Sequence, residues 1–258
     1  MSVHQFIEPD IECLSAACVR HILSQLEQAL SGNDQATFAV SGGNSPKPVF
    51  EALAKVDFDW ARVHLFFVDE RCVPISDSQS NYAMVERVFV APAQIPHRHV
   101  HRVHTELEPH RAAEVYGEEI RDVFDIGPLE TPHFDVIHLG MGPDAHTASL
   151  FPGDPLIEDR ERITAATYVE KFHQWRVTLL PAVLLGAKHT VVFAPGADKA
   201  DAMRSVLDGE FEPLRFPAQI PARSSTGVAS DPLHTDRSVN ICCLDRRPTA
   251  AYTARLRT

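Results

Sequence analysis

The sequence has no CxxC pair, no apolar run long enough to span a membrane and no excess of positive charge. A transmembrane helix needs about 20 consecutive apolar residues. The first twenty residues include Glu8, Asp10 and Glu12, whereas a signal peptide has a basic region and then an apolar one. The net charge of −11 argues against general binding to nucleic acid. These absences predict a cytoplasmic protein that binds neither a membrane nor nucleic acid.

Cysteine is scarce, and its five positions form no disulfide pattern. The number is odd, and two of the cysteines are adjacent inside an apolar run. Small disulfide-stapled domains usually have an even number at regular spacings. We therefore expect reduced thiols in the protein core and no disulfides. The cysteines are Cys13, Cys18, Cys72, Cys242 and Cys243.

Short apolar segments typical of buried strands alternate along the 258 residues with segments of helical periodicity. Strands are predicted at residues 36–40, 63–68, 134–139, 176–180, 189–193 and 239–244. Helices are predicted at residues 11–30, after residue 46, at 82–90, at 112–124, and after residues 181 and 199. This alternation predicts an α/β fold, Rossmann-like, with a mostly parallel sheet flanked by helices. We expect residues 1–258 to form a single domain.

The strand predicted at residues 134–139 leads into a loop that combines glycine, an acid and an imidazole, GMGPDAHTASLFPG. Glycine allows positive φ and a close approach of the backbone to a ligand. Asp144 and His146 follow the carboxyl end of the strand, where open α/β sheets bind ligands. Histidine suits general base catalysis near neutral pH, and a carboxylate can orient it. The alternative is that Asp144 only caps a following helix.

Two other loops at predicted strand ends contain groups suited to an anion. Residues 41–46, SGGNSP, lie between a strand and a helix, an arrangement whose backbone N–H groups cradle phosphate. An ordinary turn capped by Ser45 is the alternative. Arg71 ends a buried strand and can bind a phosphate or carboxylate, or only pair with Glu70. Lys199 is predicted to face the same end of the sheet.

Histidine is frequent in residues 96–110. An HxHxH pattern on a strand would place His97, His99 and His101 on one face, which is a possible metal-binding geometry. No cysteine or paired carboxylate completes such a site nearby. We expect a solvated, histidine-rich surface segment, with metal binding as the alternative.

Considered together, the loops of this chain resemble those of the 6-phosphogluconolactonase family. The matching segments are SGGNSP at 41–46, VDER at 68–71, SN at 80–81, LGMGPDAHTASLFPG at 139–153, RVTL at 176–179 and GADKA at 196–200. The resemblance covers roughly residues 10–210 and, more loosely, the last strand. It implies a Rossmann-like sheet of the kind shared with glucosamine-6-phosphate deaminases.

The resemblance implies hydrolysis of 6-phospho-D-glucono-1,5-lactone to 6-phospho-D-gluconate in the oxidative pentose phosphate pathway. It assigns the chemistry to His146 with Asp144 and implies neither a metal nor another cofactor. The predicted substrate-binding residues are Ser41, Gly42, Gly43, Asn44, Asp69, Arg71, Gly142, Arg176 and Lys199. The partner is then a small phosphosugar lactone, and the protein is expected to be a monomer or weak homodimer.

The chain departs from the family pattern at Ala145, where glycine is usual, and at Leu180, where threonine is usual. If position 145 requires positive φ, alanine would cost about 1 kcal/mol. A non-catalytic phosphosugar-binding protein is therefore one alternative. Another is a sugar-phosphate isomerase or deaminase of the same fold, although that group tends to have a glutamate-containing FNEPG where this chain has SLFPG, and tyrosine in place of Arg71.

Overall fold

The computed structural model describes residues 2–223 and 238–244. The strands are β1 Ser2–Glu8, β2 Ala36–Val40, β3 Val63–Phe67, β4 Asp69–Arg71, β5 Val100–His101, β6 Val136–Gly140, β7 Thr164–Val169, β8 Gln174–Leu179, β9 His189–Ala194 and β10 Ser238–Leu244. The α-helices are α1 Ile11–Gly32, α2 Lys47–Leu53, α3 Asn81–Val85, α4 Pro109–Phe124, α5 Pro181–Gly186, α6 Ala200–Asp208 and α7 Gln219–Arg223.

Seven of these strands form one parallel sheet in the order β1–β10–β9–β6–β2–β3–β5. In the middle of the sheet, Phe38 of β2 lies opposite Leu65 of β3 on one side and Val136 of β6 on the other. Parallel neighbours need crossover connections, which here run largely through helices. The predicted α/β fold with a mostly parallel sheet is therefore confirmed. The edge strand β1 was not predicted.

A three-stranded antiparallel sheet, in the order β4–β8–β7, was also missed. The chain crosses between the two sheets at Val68, whose N–H donates to the carbonyl of Val40 and whose carbonyl accepts from Leu179. In this sheet Arg71 pairs with Arg176. Residues 176–180 were predicted as a strand, but apolar periodicity does not indicate which sheet a strand joins. The second sheet brings two arginines to the carboxyl edge of the first.

Most of the predicted elements are confirmed near their predicted bounds. Helix α1 begins after Asp10, whose carboxylate accepts from the N–H of Cys13. The helix predicted at residues 82–90 is α3 followed by a turn of π-helix, Glu86–Val90. Apolar side chains on alternate positions of the strands pack into one cluster on each face of the parallel sheet, as Phe38 and Ala39 do. The sheet is therefore covered on both faces.

The structure bears on the predictions about membrane helices and about cysteine burial. No helix in residues 2–223 is long and apolar enough to cross a membrane. Cys18 is buried, but Cys13 is exposed and Cys72 is partly exposed, so the prediction that all cysteines are core thiols was wrong. The side chains of Cys242 and Cys243 lie outside the described structure.

In the histidine-rich segment, His97 and His99 lie in a 3₁₀ turn, His97–His99, and only His101 lies on a strand, β5. Part of the segment is buried. His99 and His101 are buried, so the prediction of a solvated surface was wrong for them. Nε2 of His101 lies 2.8 Å from Nδ1 of His64, and its Nδ1 lies 2.7 Å from the Glu119 carboxylate. Within the described ranges, no group of three or more His, Cys, Asp or Glu side chains is arranged to hold a metal ion. The metal-binding alternative therefore has no support there.

His138 is a polar side chain in the middle of the apolar core. It is fully buried on β6 between Phe50 and Phe193, and neither ring nitrogen has a hydrogen-bond partner. Burial lowers the pKa of His138 to about 4, because the charged imidazolium cannot be solvated there. In the unfolded chain this histidine binds a proton near pH 6.5, whereas in the folded protein it binds one only near pH 4. Because the unfolded state binds the proton first, the free energy of unfolding decreases as the pH falls from about 6.5 to about 4.

We predict that His138→Leu reduces the acid sensitivity of the fold. Between pH 7.5 and pH 5, the wild-type protein should lose about 2 kcal/mol more free energy of unfolding than the variant. Urea unfolding at the two pH values measures this difference. His97→Leu, at an exposed histidine, is the matched control and should lose as much as the wild type. Equal losses in His138→Leu and the wild type would contradict the prediction.

Candidate active site

One cavity of about 290 Å³ opens where the main parallel strands end. Every predicted site residue except Asp144 lines it, and Asp144 is hydrogen-bonded to His146 from behind. The predicted residues on the cavity wall are Ser41, Gly42, Gly43, Asn44, Asp69, Arg71, Gly142, His146, Arg176 and Lys199. They come from three loops that follow strands of the parallel sheet, and from strands β4 and β8 of the antiparallel sheet. Their individual roles stay predictions.

Residues 41–44, the SGGN loop, are fixed by contacts at the end of β2. The N–H of Ser41 donates to the carbonyl of His138, which fixes the loop to β6. A Cβ on Gly42 would lie 2.1 Å from the side chain of Asn81, so only glycine fits there. Gly43 has φ of 95°, a left-handed conformation that favours glycine. Helix α2 starts after Pro46 with no side-chain cap, so the alternative of a turn capped by Ser45 was wrong.

Arg71 is positioned by a buried carboxylate that it does not neutralise. Glu70 is 1% exposed, and its carboxylate accepts from the backbone N–H groups of Arg71, Asn81 and Tyr82 at 2.7–2.8 Å. Burial raises the pKa of Glu70, while these bonds oppose the rise. The Arg71 guanidinium donates instead to the carbonyl of Gln79, at 2.6 Å. The alternative of a simple Arg71–Glu70 side-chain pair is therefore not what the structure shows.

Two further cations in the cavity are almost completely buried. Arg176 is 7% and Lys199 9% exposed, and burial lowers the pKa of both side chains. Asp69 lies 3.9 Å from Arg176 and accepts a 2.6 Å hydrogen bond from Ser149. With Arg71, three cations face one carboxylate on the cavity wall. Because desolvated charge is costly without a counter-ion, the cavity is suited to an anion.

The imidazole of His146 is fixed on two sides. Its Nδ1 lies 2.5 Å from Oδ1 of Asp144, so Nε2 is the nitrogen left to act on a ligand. The ring stacks on Phe151 with centroids 4.2 Å apart. The hydrogen bond and the charge of His146 hold the pKa of Asp144 well below its usual range, and Lys171, 3.0 Å from Oδ2, acts in the same direction. This pair has the geometry of a base and its orienting carboxylate.

The loop that presents the pair is a series of turns with no helix after Asp144, so the alternative that Asp144 only caps a helix was wrong. Ala145 has φ of 61°, the left-handed conformation that had been considered for this position. Its N–H donates to the carbonyl of Gly142, and its carbonyl accepts from Ala218. A Cβ on Gly142 would lie 2.1 Å from the His146 ring, which explains a glycine there. The loop is thus held closed around the imidazole.

Several main-chain N–H groups after Gly142 are engaged within the loop. Pro143 has no N–H, and those of Ala145 and His146 donate to the Gly142 carbonyl and the Asp144 carboxylate. Backbone N–H groups can stabilise an oxyanion only where they are not already engaged. The cations across the cavity are another source of positive charge for an oxyanion.

Three residues around the site were not predicted. Asn81 lines the cavity and donates to the carbonyl of Asp69 at 2.8 Å. The SN pair at residues 80–81, placed directly before a helix, was the signal that could have found it. Phe151 and Lys171 contact the His146–Asp144 pair, and no local sequence signal marks Lys171. They also border a second, larger cavity of about 760 Å³ with mostly apolar walls.

Comparison with known proteins agrees with these observations. The chain matches the family described as glucosamine-6-phosphate isomerases/6-phosphogluconolactonase over residues 9–229. It is 33% identical over 199 residues to the 6-phosphogluconolactonase of Synechocystis, covering 77% of this chain and 82% of that protein. For the Haemophilus influenzae 6-phosphogluconolactonase, identity is 34% over 190 residues, covering 72% and 79%.

Solved structures give the same result. The structure is similar to that of 6-phosphogluconolactonase from Thermotoga maritima, with a TM-score of 0.79 and 28% identity, covering 95% of this chain and 100% of that one. A 6-phosphogluconolactonase from Leishmania guyanensis gives a TM-score of 0.80 at 25% identity, covering 95% and 97%. The chain therefore belongs to the glucosamine-6-phosphate isomerase/6-phosphogluconolactonase family.

Proposed function

We propose that this protein hydrolyses 6-phospho-D-glucono-1,5-lactone to 6-phospho-D-gluconate, as a metal-independent step of the oxidative pentose phosphate pathway. One observation carries the proposal: His146, backed by Asp144, shares a single cavity with the SGGN loop and three cations. The similarity to proteins named 6-phosphogluconolactonase over most of their length supports the same substrate. The cavity volume suits one hexose phosphate, at the small end of ligand pockets.

In this proposal the phosphate is anchored at the end of the cavity formed by the SGGN loop. Gly43 allows the backbone to approach the phosphate, and Arg71 and Lys199 supply charge-assisted hydrogen bonds. Arg176 lies between Asp69 and the aromatic rings of Phe151 and Phe172, so it contributes charge from a fixed position. Anchoring a distant group orients the lactone carbonyl and lowers the entropic cost of reaction.

His146 acts as the general base through Nε2. It takes a proton from water as the water oxygen adds to C1, and the resulting imidazolium is stabilised by Asp144. The tetrahedral intermediate then collapses with cleavage of the bond between C1 and the ring oxygen, which receives the proton from His146. The carboxylic acid product ionises at neutral pH. No covalent nucleophile is required, because a lactone is an activated ester.

We predict that His146→Ala lowers kcat by about 100-fold or more while KM changes little, the usual effect of losing a positioned base. Acid release from freshly made 6-phosphogluconolactone, corrected for spontaneous hydrolysis, measures both constants. His97→Ala, at an exposed histidine outside the cavity, is the control and should match the wild type. A His146→Ala enzyme with full activity would refute the assignment, and an inactive wild type would refute the function.

Arg71→Ala should act mainly on KM. Removing one charged hydrogen-bond donor from the phosphate is expected to raise KM about 10- to 100-fold, while kcat stays within about threefold. Arg204→Ala, which removes an exposed arginine on α6, controls for the change in net charge. If Arg71→Ala lowered kcat and left KM unchanged, Arg71 would belong to the reacting end of the substrate rather than to the phosphate.

Sugar-phosphate isomerisation or deamination is the closest rival, because the family includes glucosamine-6-phosphate isomerases. In this structure the segment after Ser149 places Phe151, not an acid, against the catalytic imidazole. Phe151 stands where the FNEPG segment of the rival group has its glutamate, so no carboxylate is present at that position. Ammonia release from glucosamine 6-phosphate, with no acid release from the lactone, would decide in favour of the rival.

A non-catalytic phosphosugar sensor is the other alternative, and substitution of Ala145 tests it. The left-handed conformation costs alanine about 1–2 kcal/mol relative to glycine, but Ala145 is fully buried and its methyl group contributes about 0.8 kcal/mol. Because the Asp144–His146 contact is formed with alanine present, we predict that Ala145→Gly changes kcat by less than about threefold and stability by less than about 1 kcal/mol.

Steady-state assays and thermal unfolding of Ala145→Gly check this prediction. Ala145→Val is the contrasting variant, because a β-branched side chain is strongly disfavoured at positive φ, and it should lose both activity and stability. A wild type that binds 6-phosphogluconate without hydrolysing the lactone, together with an Ala145→Gly variant that does hydrolyse it, would support the sensor.

A further inference from the structure

We propose that Lys171 is a positioning residue that acts on His146 through Asp144, completing a Lys171–Asp144–His146 chain. The inference rests on the proposed function, because it assigns a role within the same catalytic pair. Oδ1 of Asp144 is taken by Nδ1 of His146 at 2.5 Å, and Oδ2 by the Lys171 ammonium at 3.0 Å. The carboxylate cannot rotate without losing one of these partners.

The turn that carries Lys171 is itself attached to the site. Lys171 lies in the 3₁₀ turn Glu170–Phe172 that joins β7 to β8. The neighbouring Phe172 packs edge-on against Phe151, with centroids 5.8 Å apart, and lies 5.0 Å beneath the Arg176 guanidinium. Phe151 is the ring that stacks on His146. The hairpin tip is therefore fixed to the same aromatic surface that holds the imidazole.

The Lys171–Asp144 ion pair contributes too little to the stability of the fold to explain a lysine at this position. Its side chain is 58% exposed, and exposed ion pairs contribute little to the free energy of folding. Lys171 instead places a positive charge next to Oδ2 of Asp144, the carboxylate oxygen that does not contact the His146 ring. An ammonium there offsets part of the carboxylate charge that His146 experiences, and it keeps Oδ1 directed at the imidazole. Its loss should therefore affect catalysis more than folding.

The direction of the pH effect follows from the charges around the pair. Besides Asp144 and Lys171, the charged side chains and histidines on the cavity walls are Asp69, Arg71, His146, Arg176 and Lys199 in the smaller cavity and His110, Asp154 and Glu170 in the larger one. The variant leaves all of them unchanged. Without Lys171, the unopposed carboxylate favours the imidazolium, so the enzyme loses its free base at a higher pH. The acidic limb of the kcat/KM profile should then move upward by about 0.5 pH unit.

Lys171→Met tests the proposal, with Lys171→Arg as the conservative variant. We expect Lys171→Met to lower kcat about five- to tenfold with KM unchanged and to move the acidic limb upward. Lys171→Arg should restore both quantities toward wild type. The matched control is Lys188→Met, because Lys188 is also a partly exposed lysine that lies 2.7 Å from a carboxylate, that of the buried Asp135 just before β6. This control should leave kcat and the profile unchanged.

Two results would overturn the role of Lys171. One is a Lys171→Met enzyme with unchanged kcat and an unchanged acidic limb. The other is an equal loss of activity in Lys171→Arg with a lowered melting temperature in both variants, which would indicate structural support only. The NMR signals of the His146 ring should shift in Lys171→Met but not in Lys188→Met. This readout does not depend on turnover, so it separates failure of the positioning role from failure of the lactonase proposal.

Discussion

The site depends on positive charge that the fold buries in one cavity. Arg176 and Lys199 are more than nine-tenths buried, and with Arg71 they outnumber the one carboxylate on the cavity wall, although the chain as a whole has a net charge of −11. Burial lowers the pKa of Arg176 and Lys199, because their charged forms lose solvation there. An anionic ligand would offset that loss, which is why the cavity is suited to one.

The meeting of the two sheets places this charge beside the imidazole of His146. At Val68 the chain leaves the parallel sheet and enters the antiparallel one, which pairs Arg71 with Arg176 above the end of β2. The parallel sheet supplies the SGGN loop and the loop of His146. Phe151 connects the two parts, because it stacks on the imidazole and lies under the Arg176 guanidinium. The cations, the SGGN loop and the imidazole are therefore held by contacts within one framework.

The sequence predicted the parallel sheet and the clustering of its loops, because strands buried on both faces give continuous apolar runs and their carboxyl ends meet at one edge. It did not predict the antiparallel sheet, since strand periodicity carries no information about partners. Nor does the sequence indicate which backbone N–H groups a loop engages, such as those of Ala145 and His146, which are hydrogen-bonded within their own loop. Lys171 was missed because its contact with Asp144 spans 27 positions and depends on a turn held by aromatic packing.

The central claim is that one phosphosugar spans the cavity from the cations to the imidazole. A crystal structure with 6-phospho-D-gluconate tests it most directly. We expect phosphate oxygens within hydrogen-bond distance of Arg71, Lys199 and the SGGN backbone, with the C1 carboxylate next to His146. A ligand bound in the larger cavity beyond Phe151, or one with its phosphate at His146, would contradict the proposed function.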